Sequence, residues 1–340
     1  MTESNFAIVC DEGCDLSAAF LERAGAVCAR LDGGDSGAGA SSSLAPAPVS
    51  AAEGVGAVAV AGSDHAAGAL EECYRGLAAR GVTEVVSVHS AACFSPALEG
   101  ARRAAAACAG DLRVEVVDSG AGSAATGMLV DRASYYRHLG LSLDDAVRGL
   151  EGLAAHVRLL VVPASGAPIA RRRTRRAHAG LLSRATTSLR VRISGERGLY
   201  VVTRGEVTQL ARSTDLIELT SRLAHAMSAV AANEGALRYA LVETGDVRSL
   251  RAMEKPLDTN EFEAHCLGTV HAGLDVGRAL GTGAVAVALA PAAAYDHVPG
   301  ADGSAETRGR AGASVSFSEA AGHETPAPQR DPAVPTDSAK

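Results

Sequence analysis

One stretch of the sequence decides the fold, and it reads VVSVHSAACFSPALEGARRAAAACAGDLRVEVVDSGAGSAATGMLV (residues 85–130). Its apolar runs and helical periods predict the order strand, loop, helix, strand, loop, helix. A small polar residue stands wherever a strand leads into a helix. Because parallel strands end at one edge of a sheet, these loops are expected to meet in a crevice. Backbone N–H groups and hydroxyls in such a crevice suit a carboxylate or phosphate group.

The same alternation continues on both sides of this stretch. Buried strands are predicted at residues 6–10, 26–31, 55–61, 84–89, 113–117 and 158–162. Helices are predicted at residues 66–80, 96–109, 123–139 and 143–156. Ser142 is the expected N-cap of the last of these helices. Alternating strands and helices predict a parallel sheet flanked by helices.

The pattern changes after residue 162. The segment SGERG separates two strand-like runs at 189–193 and 199–203, which predicts a hairpin. A helical period at 213–233 is followed by strands at 236–242 and 284–290.

These patterns predict two α/β domains. The first spans residues 1–157 and contains a flexible Gly-, Ala-, Ser- and Pro-rich insert at 32–54. The second spans residues 158–291. Residues 292–340 are charged, rich in Gly, Pro and Ser, and predicted to be a disordered tail.

The composition limits the classes of function. Aromatic residues make up 3% of the chain, and Ala, Val, Leu and Gly supply most of the apolar content. The net charge of −7 argues against nucleic-acid binding, which needs a basic face. No signal peptide is expected, because the start MTESNFAIVCDEG has no basic region followed by a long apolar one. No membrane span is expected either, because no apolar run approaches about 18 residues. The seven scattered cysteines are expected to be reduced thiols in a cytoplasmic protein.

Four segments share their order and residues with a known family. They are IVCDEGCDL (8–16), VHSAACFSPALEGARRAA (88–105), VVDSGAGSAATGMLV (116–130) and VGRALGTGAVAVAL (276–289). They resemble the strand-loop signature Val-Thr-Asp-Ser-Thr-Ala-Asp-Leu, the Ser-Ser-x-Leu-Ser-Gly-Thr loop, the Asp-Ser segment and the C-terminal Gly-rich segment of the DegV family. This family consists of bacterial fatty-acid-binding proteins that present acyl chains to a fatty acid kinase.

The resemblance implies a function and a site. A long-chain fatty acid would lie in a tunnel between the two domains, and its carboxylate would be presented to the catalytic subunit of a fatty acid kinase. The chain itself would then be a lipid carrier and not an enzyme, with no cofactor besides the bound fatty acid. Ser95 falls on the serine that hydrogen-bonds the carboxylate in the family, and Ser63 is the best counterpart of a second hydroxyl. The supporting crevice would include Asp118, Ser119, Gly277, Gly281 and Gly283.

Departures from the family pattern support an alternative. Gly13, Ala97 and Ala279 replace residues that carry a hydroxyl or an imidazole in the family, and Pro96 replaces a glycine. The alternative to a fatty-acid carrier is a structural or regulatory module that keeps the DegV fold. Such a module binds no fatty acid, or binds another small anion.

Several of these residues also have purely structural explanations. Ser95 can cap the helix after Pro96, and the glycines can serve a bend of the chain. Asp11 and Asp15 would form a metal pair or an acid–base couple only if both faced a ligand. We instead expect Asp11 to fix the turn after the first strand and Asp15 to cap the helix near Ser17.

Other loop and cysteine motifs have similarly structural interpretations. Asp118 and Ser119 are expected to make loop hydrogen bonds, with Ser123 capping the next helix. Cys10-x-x-x-Cys14 lacks the spacing of common zinc or redox pairs.

No catalytic residue and no metal site are predicted. His89 with Cys93 would suit a thiol protease, but the sequence shows no third residue to orient the histidine. One basic run remains, and it contains five arginines: Arg171, Arg172, Arg173, Arg175 and Arg176. Such a run is either a solvated surface or, in an acidic protein, a docking site for a partner.

Overall fold

The computed structural model of the protein describes residues 6–31, 55–171, 175–176, 195–259, 262–300 and 317. Within these residues the strands form one sheet of four strands and one of seven. Helices cover both sheets, which gives the two-domain α/β fold that the sequence predicts.

The first sheet is wholly parallel. Its strands, in the spatial order β2-β1-β3-β4, are β1 (Phe6–Asp11), β2 (Ala26–Ala29), β3 (Glu84–His89) and β4 (Arg113–Asp118). Val85 and Val86 of β3 are both fully buried, in apolar clusters on opposite faces of the sheet. Such burial on both faces is typical of parallel sheets and explains the continuous apolar runs.

Helices cover the two faces of this sheet. They are α1 (Ala18–Ala24), α2 (Val55–Ala78), α3 (Ala97–Cys108), α4 (Ala124–His138) and α5 (Leu143–Ala154). Helices α2 and α3 pack closely on one face. Gly100 permits this approach, because a Cβ there would lie 2.8 Å from the Cβ of Ala66. The expected N-cap of α5 is confirmed, since the Ser142 hydroxyl accepts a hydrogen bond from the N–H of Asp145.

The second sheet is mixed. Its strands, in the order β10-β9-β11-β5-β7-β8-β6, are β5 (Arg158–Val162), β6 (Arg175–Arg176), β7 (Arg197–Thr203), β8 (Glu206–Ser213), β9 (Leu237–Glu243), β10 (Ala264–His271) and β11 (Val285–Pro291). The helices of this half are α6 (Leu216–Glu234), α7 (Val247–Thr259), α8 (Leu274–Leu280) and α9 (Ala292–Tyr295). Helices α6 and α7 cover one face of the sheet.

Helix α4 lies between the two sheets. Every residue from Ala124 to Ala133 is buried, and the helix contacts β1 and β3 of the first sheet and β9 and β11 of the second. A helix that is enclosed in this way needs no polar face. We propose that the domain boundary lies at residues 157–158, between α5 and β5.

The strand predicted at residues 55–61 is wrong. These residues form the first turns of α2, which continues without interruption to Ala78. A short apolar run fits a buried strand or a helix equally well, and no Gly-Pro or Asn-Gly signal separates this run from the helical period that follows.

The predicted strand at residues 199–203 forms a hairpin with the strand that follows it, and not with the run at 189–193 as expected. Strand β7 pairs with β8 through a tight turn at Arg204 and Gly205, which both have positive φ (51° and 74°). Two such residues form the turn type that matches the twist of a hairpin. The run at 189–193 and the insert at 32–54 lie outside the described residues.

The first residues of the predicted tail are ordered. Ala292–Tyr295 form α9, and the Tyr295 side chain is fully buried, with its hydroxyl 2.5 Å from Asp131. Phe317 is also buried, and its N–H donates to the carbonyl of Leu267. The expectation of disorder is therefore wrong at these positions, because the aromatic side chains supply apolar surface to bury. In the described part of the chain, no helix is both long and apolar enough to cross a bilayer.

Candidate functional site

A pocket of about 550 Å³ lies between the carboxyl edge of the first sheet and the end of β10. The first domain contributes the loop after β1, the start of α1 and the end of β2. The second domain contributes the end of β10 and the start of α8. Its volume is within the range of small-molecule sites, about 300–1,000 Å³.

Aliphatic and aromatic side chains form much of the pocket wall. They are Leu16, Ala18, Leu21, Val270 and Phe317. Phe317 is held in place by an edge-to-face contact with Phe20, with the ring centroids 5.3 Å apart. This wall suits an apolar ligand, because it offers no polar group that such a ligand would leave unpaired.

Charged side chains border the same pocket. Arg30 is exposed and contributes a guanidinium, and His271 lies on the opposite side with its Nδ1 2.5 Å from a carboxylate oxygen of Glu243. Glu12 and Asp15 add acidic groups. The pocket therefore combines an apolar wall with a mixed polar border, in which Arg30 is the group best suited to an anion.

Asp15 links the loop after β1 to two other elements. Its Oδ1 accepts the N–H of Gly273 at 2.7 Å, and its Oδ2 accepts the hydroxyl of Ser123 at 2.5 Å. Both Asp15 and Ser123 have positive φ (54° and 56°), which is uncommon outside glycine. Asp15 therefore connects the first loop to the start of α4 and to the second domain.

Burial raises the pKa of Asp15 to about 7. The hydrogen bonds from Ser123 and Gly273 act in the opposite direction, Asp11 raises this pKa further and His271 lowers it. Burial disfavours the charged carboxylate, because hydrogen bonds replace only part of its hydration.

Three thiols form a cluster beside the pocket. Cys10 and Cys28 are paired positions of β1 and β2, and the Sγ of Cys14 lies 3.7 Å from the Sγ of Cys10. Cys28 packs against the apolar cluster that contains both other cysteines. Cys14 and Cys28 line the pocket, whereas Cys10 is fully buried. The described residues contain no His, Cys, Asp and Glu group that could hold a metal ion.

Hydrogen bonds within the thiol cluster change its acidity. Contacts with Cys10 and then Cys14 lower the pKa of Cys28, and the charge of Arg30 lowers it further. Burial and the charge of Asp11 oppose this effect. The pKa of Cys10 is raised by the same contacts. Among the three thiols, Cys28 is therefore the one whose pKa is lowered.

A buried hydrogen-bonded chain joins β1, β3 and α2. Asp11 Oδ2 lies 2.6 Å from His89 Nδ1, and His89 Nε2 lies 2.7 Å from the hydroxyl of Ser87. The hydroxyl of Tyr74 donates to Ser87 at 2.8 Å. This order of groups matches a serine hydrolase triad. However, all four side chains are fully buried and none lines the pocket between the domains, so we expect this chain of groups to stabilise the sheet.

Sequence reasoning missed this chain of groups. It paired His89 with Cys93, although Asp11 supplies the orienting carboxylate. The available signal was the spacing of Ser87 and His89, since residues i and i+2 of a strand share one face. Asp11 does fix the turn after β1 as expected, because its Oδ1 accepts the N–H of Gly13 at 2.7 Å.

Comparison with known proteins identifies the family. The family model described as "Uncharacterised protein, DegV family" matches residues 58–292. The chain belongs to the DegV family. The comparison with curated proteins finds no match.

Solved DegV-family structures share the fold over nearly their whole length. DegV family protein Cg2579 from Corynebacterium glutamicum is 17% identical, with a TM-score of 0.62, and the match covers 84% of this chain and 98% of that chain. A fatty-acid-binding DegV family protein from Thermus thermophilus is 18% identical, with a TM-score of 0.61 and coverage of 84% and 99%. The fatty acid binding protein DegV from Bacillus subtilis is 16% identical, with a TM-score of 0.60 and the same coverage.

The two serines predicted from the DegV resemblance lie outside the pocket lining. Ser95 is 2% exposed, and its hydroxyl accepts the N–H of Ala97 at the start of α3. Ser63 lies on α2, where its hydroxyl accepts a hydrogen bond from Arg103 at 2.7 Å. A Cβ at Gly62 would lie 3.4 Å from Pro96, so the two serines belong to neighbouring segments. Their role in binding stays a prediction.

The predicted supporting residues are not pocket-lining either. Asp118 accepts the N–H of Gly120 at 2.8 Å, and Ser119 is fully buried with its hydroxyl bonded within the same loop, as expected for loop residues. Two other expectations are wrong. Ser17, and not Asp15, caps α1, and Ser123 makes no capping bond because its hydroxyl is directed to Asp15.

The remaining predicted residues belong to the second domain. Gly277 lies within α8, and Gly281 and Gly283 follow it with positive φ (77° and 79°). A Cβ at Gly281 would lie 2.8 Å from Ala164, so a packed bend explains this glycine.

Two residues of the basic run lie at an edge of the second sheet. Arg175 and Arg176 form β6, beside β8. Arg171 ends a short 3-10 helix (Pro168–Arg171), and residues 172–174 lie outside the described part of the chain.

Proposed function

We propose that this DegV-family chain binds a long-chain fatty acid in the pocket between its two domains. The observation that carries the proposal is the 550 Å³ cavity with an apolar wall, within the fold of proteins described as fatty-acid-binding. Each methylene that moves from water into such a wall contributes about 0.8 kcal/mol. An alkyl chain is therefore the ligand that gains most from this pocket.

The carboxylate of the fatty acid is placed at Arg30. This guanidinium borders the pocket and can form two parallel hydrogen bonds with a carboxylate. Glu12 repels an anion, and Asp15 does so once it is ionised, which favours the Arg30 side of the pocket. The family resemblance instead implies that Ser95 and Ser63 bind the carboxylate. The supporting crevice would then include Asp118, Ser119, Gly277, Gly281 and Gly283.

A partner enzyme would carry out the chemistry on the bound fatty acid. A fatty acid kinase would phosphorylate the carboxylate while this chain holds the acyl tail, so the chain acts as a cytoplasmic carrier and not as an enzyme. The support is the family resemblance together with the basic run at 171–176, whose charge suits docking on an acidic or nucleotide-bearing surface.

A structural or regulatory module is the second candidate function. The observation that favours it is the loss of side chains that carry hydroxyl or imidazole groups in the family, at Gly13, Ala97 and Ala279. On this candidate the pocket remains without a fatty acid.

Native mass spectrometry of protein purified from bacteria tests the proposal. We expect one long-chain fatty acid per chain, identified by extraction, and uptake of added oleate by delipidated protein. Arg30→Gln is expected to weaken oleate binding at least about tenfold, since a charge-assisted hydrogen bond contributes about 1.5–3 kcal/mol.

Arg102→Gln is the matched control, because Arg102 is an exposed arginine of α3 outside the pocket lining. An empty protein that also takes up no oleate would contradict the proposal and favour the module.

A further inference from the structure

The proposed fatty-acid binding does not use the thiol cluster of Cys10, Cys14 and Cys28, yet two of its members line the pocket. Cys28 is half-buried and lines the pocket together with Cys14. The sulfurs of Cys10 and Cys14 lie 3.7 Å apart, and Cys28 is paired with Cys10 across β1 and β2 and packs against the same apolar cluster. A thiol that is accessible from a cavity and has two further thiols beside it can be oxidised and then form a disulfide.

The surroundings of Cys28 favour the thiolate. Arg30 contributes a positive charge from the same strand end and the same pocket, and the neighbouring thiols Cys10 and Cys14 lower the pKa of Cys28, whereas burial and Asp11 raise it. The thiolate is the nucleophilic form of cysteine, and reactive cysteines lie in electropositive, partly exposed surroundings. Cys266 is exposed but lies on β10 outside the pocket lining, so it serves as an internal reference.

We propose that Cys28 and Cys14 form a dithiol site that reduces a hydroperoxide in the wall of the pocket. The Cys28 thiolate attacks the terminal oxygen of the hydroperoxide. The O–O bond breaks, an S–O bond forms, and the alkoxide takes a proton from water and leaves as an alcohol. Cys28 is then a sulfenic acid.

The second step closes a disulfide. The sulfur of Cys14 attacks the sulfenic sulfur of Cys28, an S–S bond forms, and the hydroxyl leaves with the thiol proton as water. Two thiols thereby lose two electrons, which reduce one hydroperoxide to an alcohol and water. A small dithiol such as dithiothreitol returns the pair to the reduced state.

The apolar wall indicates the type of hydroperoxide. Hydrogen peroxide and a fatty-acid hydroperoxide share the reacting O–O group, but only the second has an alkyl tail for the wall that Leu16, Val270 and Phe317 provide. This preference for the lipid rests on the proposed function. The reaction with hydrogen peroxide does not, so the two proposals can fail separately.

Peptide mapping of the oxidised protein tests the site. The reduced full-length chain is treated with hydrogen peroxide or with linoleic acid hydroperoxide, blocked with N-ethylmaleimide and digested with trypsin. Cys10 and Cys14 lie in peptide 1–23 and Cys28 in peptide 24–30, because Arg23 is the first cleavage site and Arg30 the next. We expect a disulfide that joins these two peptides, formed at least about tenfold faster than oxidation of Cys266.

Single variants assign the roles of the three cysteines. Cys28→Ser is expected to abolish the cross-link. Cys14→Ala is expected to leave Cys28 as a sulfenic acid that reacts with dimedone, and Cys10→Ala to keep the cross-link. Cys266→Ser is the matched control and is expected to oxidise like the wild type. Circular dichroism of each variant shows whether it is folded.

Three results would overturn the proposal, and the wild-type protein suffices for the first two. They are oxidation of Cys28 no faster than that of Cys266, a disulfide confined to peptide 1–23, and a cross-link that persists without Cys14. If hydrogen peroxide oxidises Cys28 quickly and linoleic acid hydroperoxide does so at an equal rate, only the proposed preference for a lipid hydroperoxide is contradicted.

Discussion

The loops after β1 and β3 leave the same edge of the first sheet but have different surroundings. The loop after β1, residues 12–17, borders the pocket and is bonded to the second domain through Asp15 and Gly273. The loop after β3, residues 90–96, is closed within its own domain. The Ser90 hydroxyl donates to the carbonyl of Gly13, and the Ser95 hydroxyl is occupied by the N–H of Ala97.

The difference between these loops lies in what covers them. Phe94 of the second loop packs against Gly122, where a Cβ would lie 2.6 Å from the ring, so the β4–α4 loop fills the space above it. The first loop instead faces the end of β10, which leaves a cavity between them. Loops of similar composition at one sheet edge can therefore differ in function because of elements distant in sequence.

The largest expected effect concerns the anchor of the first loop. Asp11→Ala removes the acceptor of both the Gly13 N–H and the His89 ring, and leaves two buried donors without a partner. Each such group costs about 1–3 kcal/mol, so we expect the free energy of unfolding to fall by about 2–6 kcal/mol. Urea unfolding measures this change.

Glu12→Ala is the control for this prediction, because Glu12 directly follows Asp11 in the chain and is exposed. We expect it to change the free energy of unfolding by less than about 0.5 kcal/mol. Equal effects of the two substitutions would show that the buried chain of Asp11, His89 and Ser87 does not stabilise the fold.

Much of the fold follows from the local pattern of the sequence. Strands β1, β3, β4 and β5 are predicted because each is a short apolar run that ends at polar or loop-forming residues, and helices α3, α4 and α5 because each has a helical period. The predictions fail where the local signal is ambiguous or contradictory. Residues 55–61 are apolar without a period, and α7 contains Pro256, which is typical of a helix end. The signal for β10 is weakened by Gly268, at which the pairing with β9 shifts by one residue.

The site is less predictable than the fold. The sequence places hydroxyls at the sheet edge, but it does not show that Phe317 and Val270 come to lie opposite Cys14 and Cys28. The pairing of Cys10 with Cys28 requires the register of β1 and β2, and the contact of Asp15 with Gly273 spans 258 positions of the chain. Such contacts depend on packing between the domains, for which one sequence carries no local signal.

A second prediction concerns the link between the first loop and the second domain. Because the folded pKa of Asp15 is about 7 and its ordinary value is 3.8, the folded state retains a proton that the unfolded state loses. The free energy of unfolding should therefore fall as pH rises from about 4 to 7, by at most about 4 kcal/mol, and then stay level. Unfolding in urea across this range measures the contribution.

Two variants sharpen this prediction. Asp15→Asn cannot titrate, so it should lose this part of the pH dependence and be more stable than the wild type above pH 7. Ser123→Ala removes a hydrogen bond that lowers the pKa, so it should move the end of the fall to higher pH. A wild-type profile that matches Asp15→Asn would show that the carboxylate is well solvated.

The smallest expected effect concerns Ser95, in the loop after β3. Ser95→Ala removes the hydroxyl that accepts the N–H of Ala97, and a bond of this kind at a helix start contributes about 1 kcal/mol. Since Ser95 is 2% exposed and lies outside the pocket lining, we expect oleate binding to stay within about twofold of the wild type.

The same variant separates the two placements of the carboxylate. If Ser95→Ala loses bound lipid while Arg30→Gln keeps it, the headgroup lies in the crevice that the family resemblance implies, and the loop after β3 must open to admit it. That opening would break the Ser95–Ala97 hydrogen bond and expose Phe94, which now packs against Gly122. Hydrogen exchange at Ala97, measured with and without oleate, would then be faster in the complex, whereas binding at Arg30 leaves it unchanged.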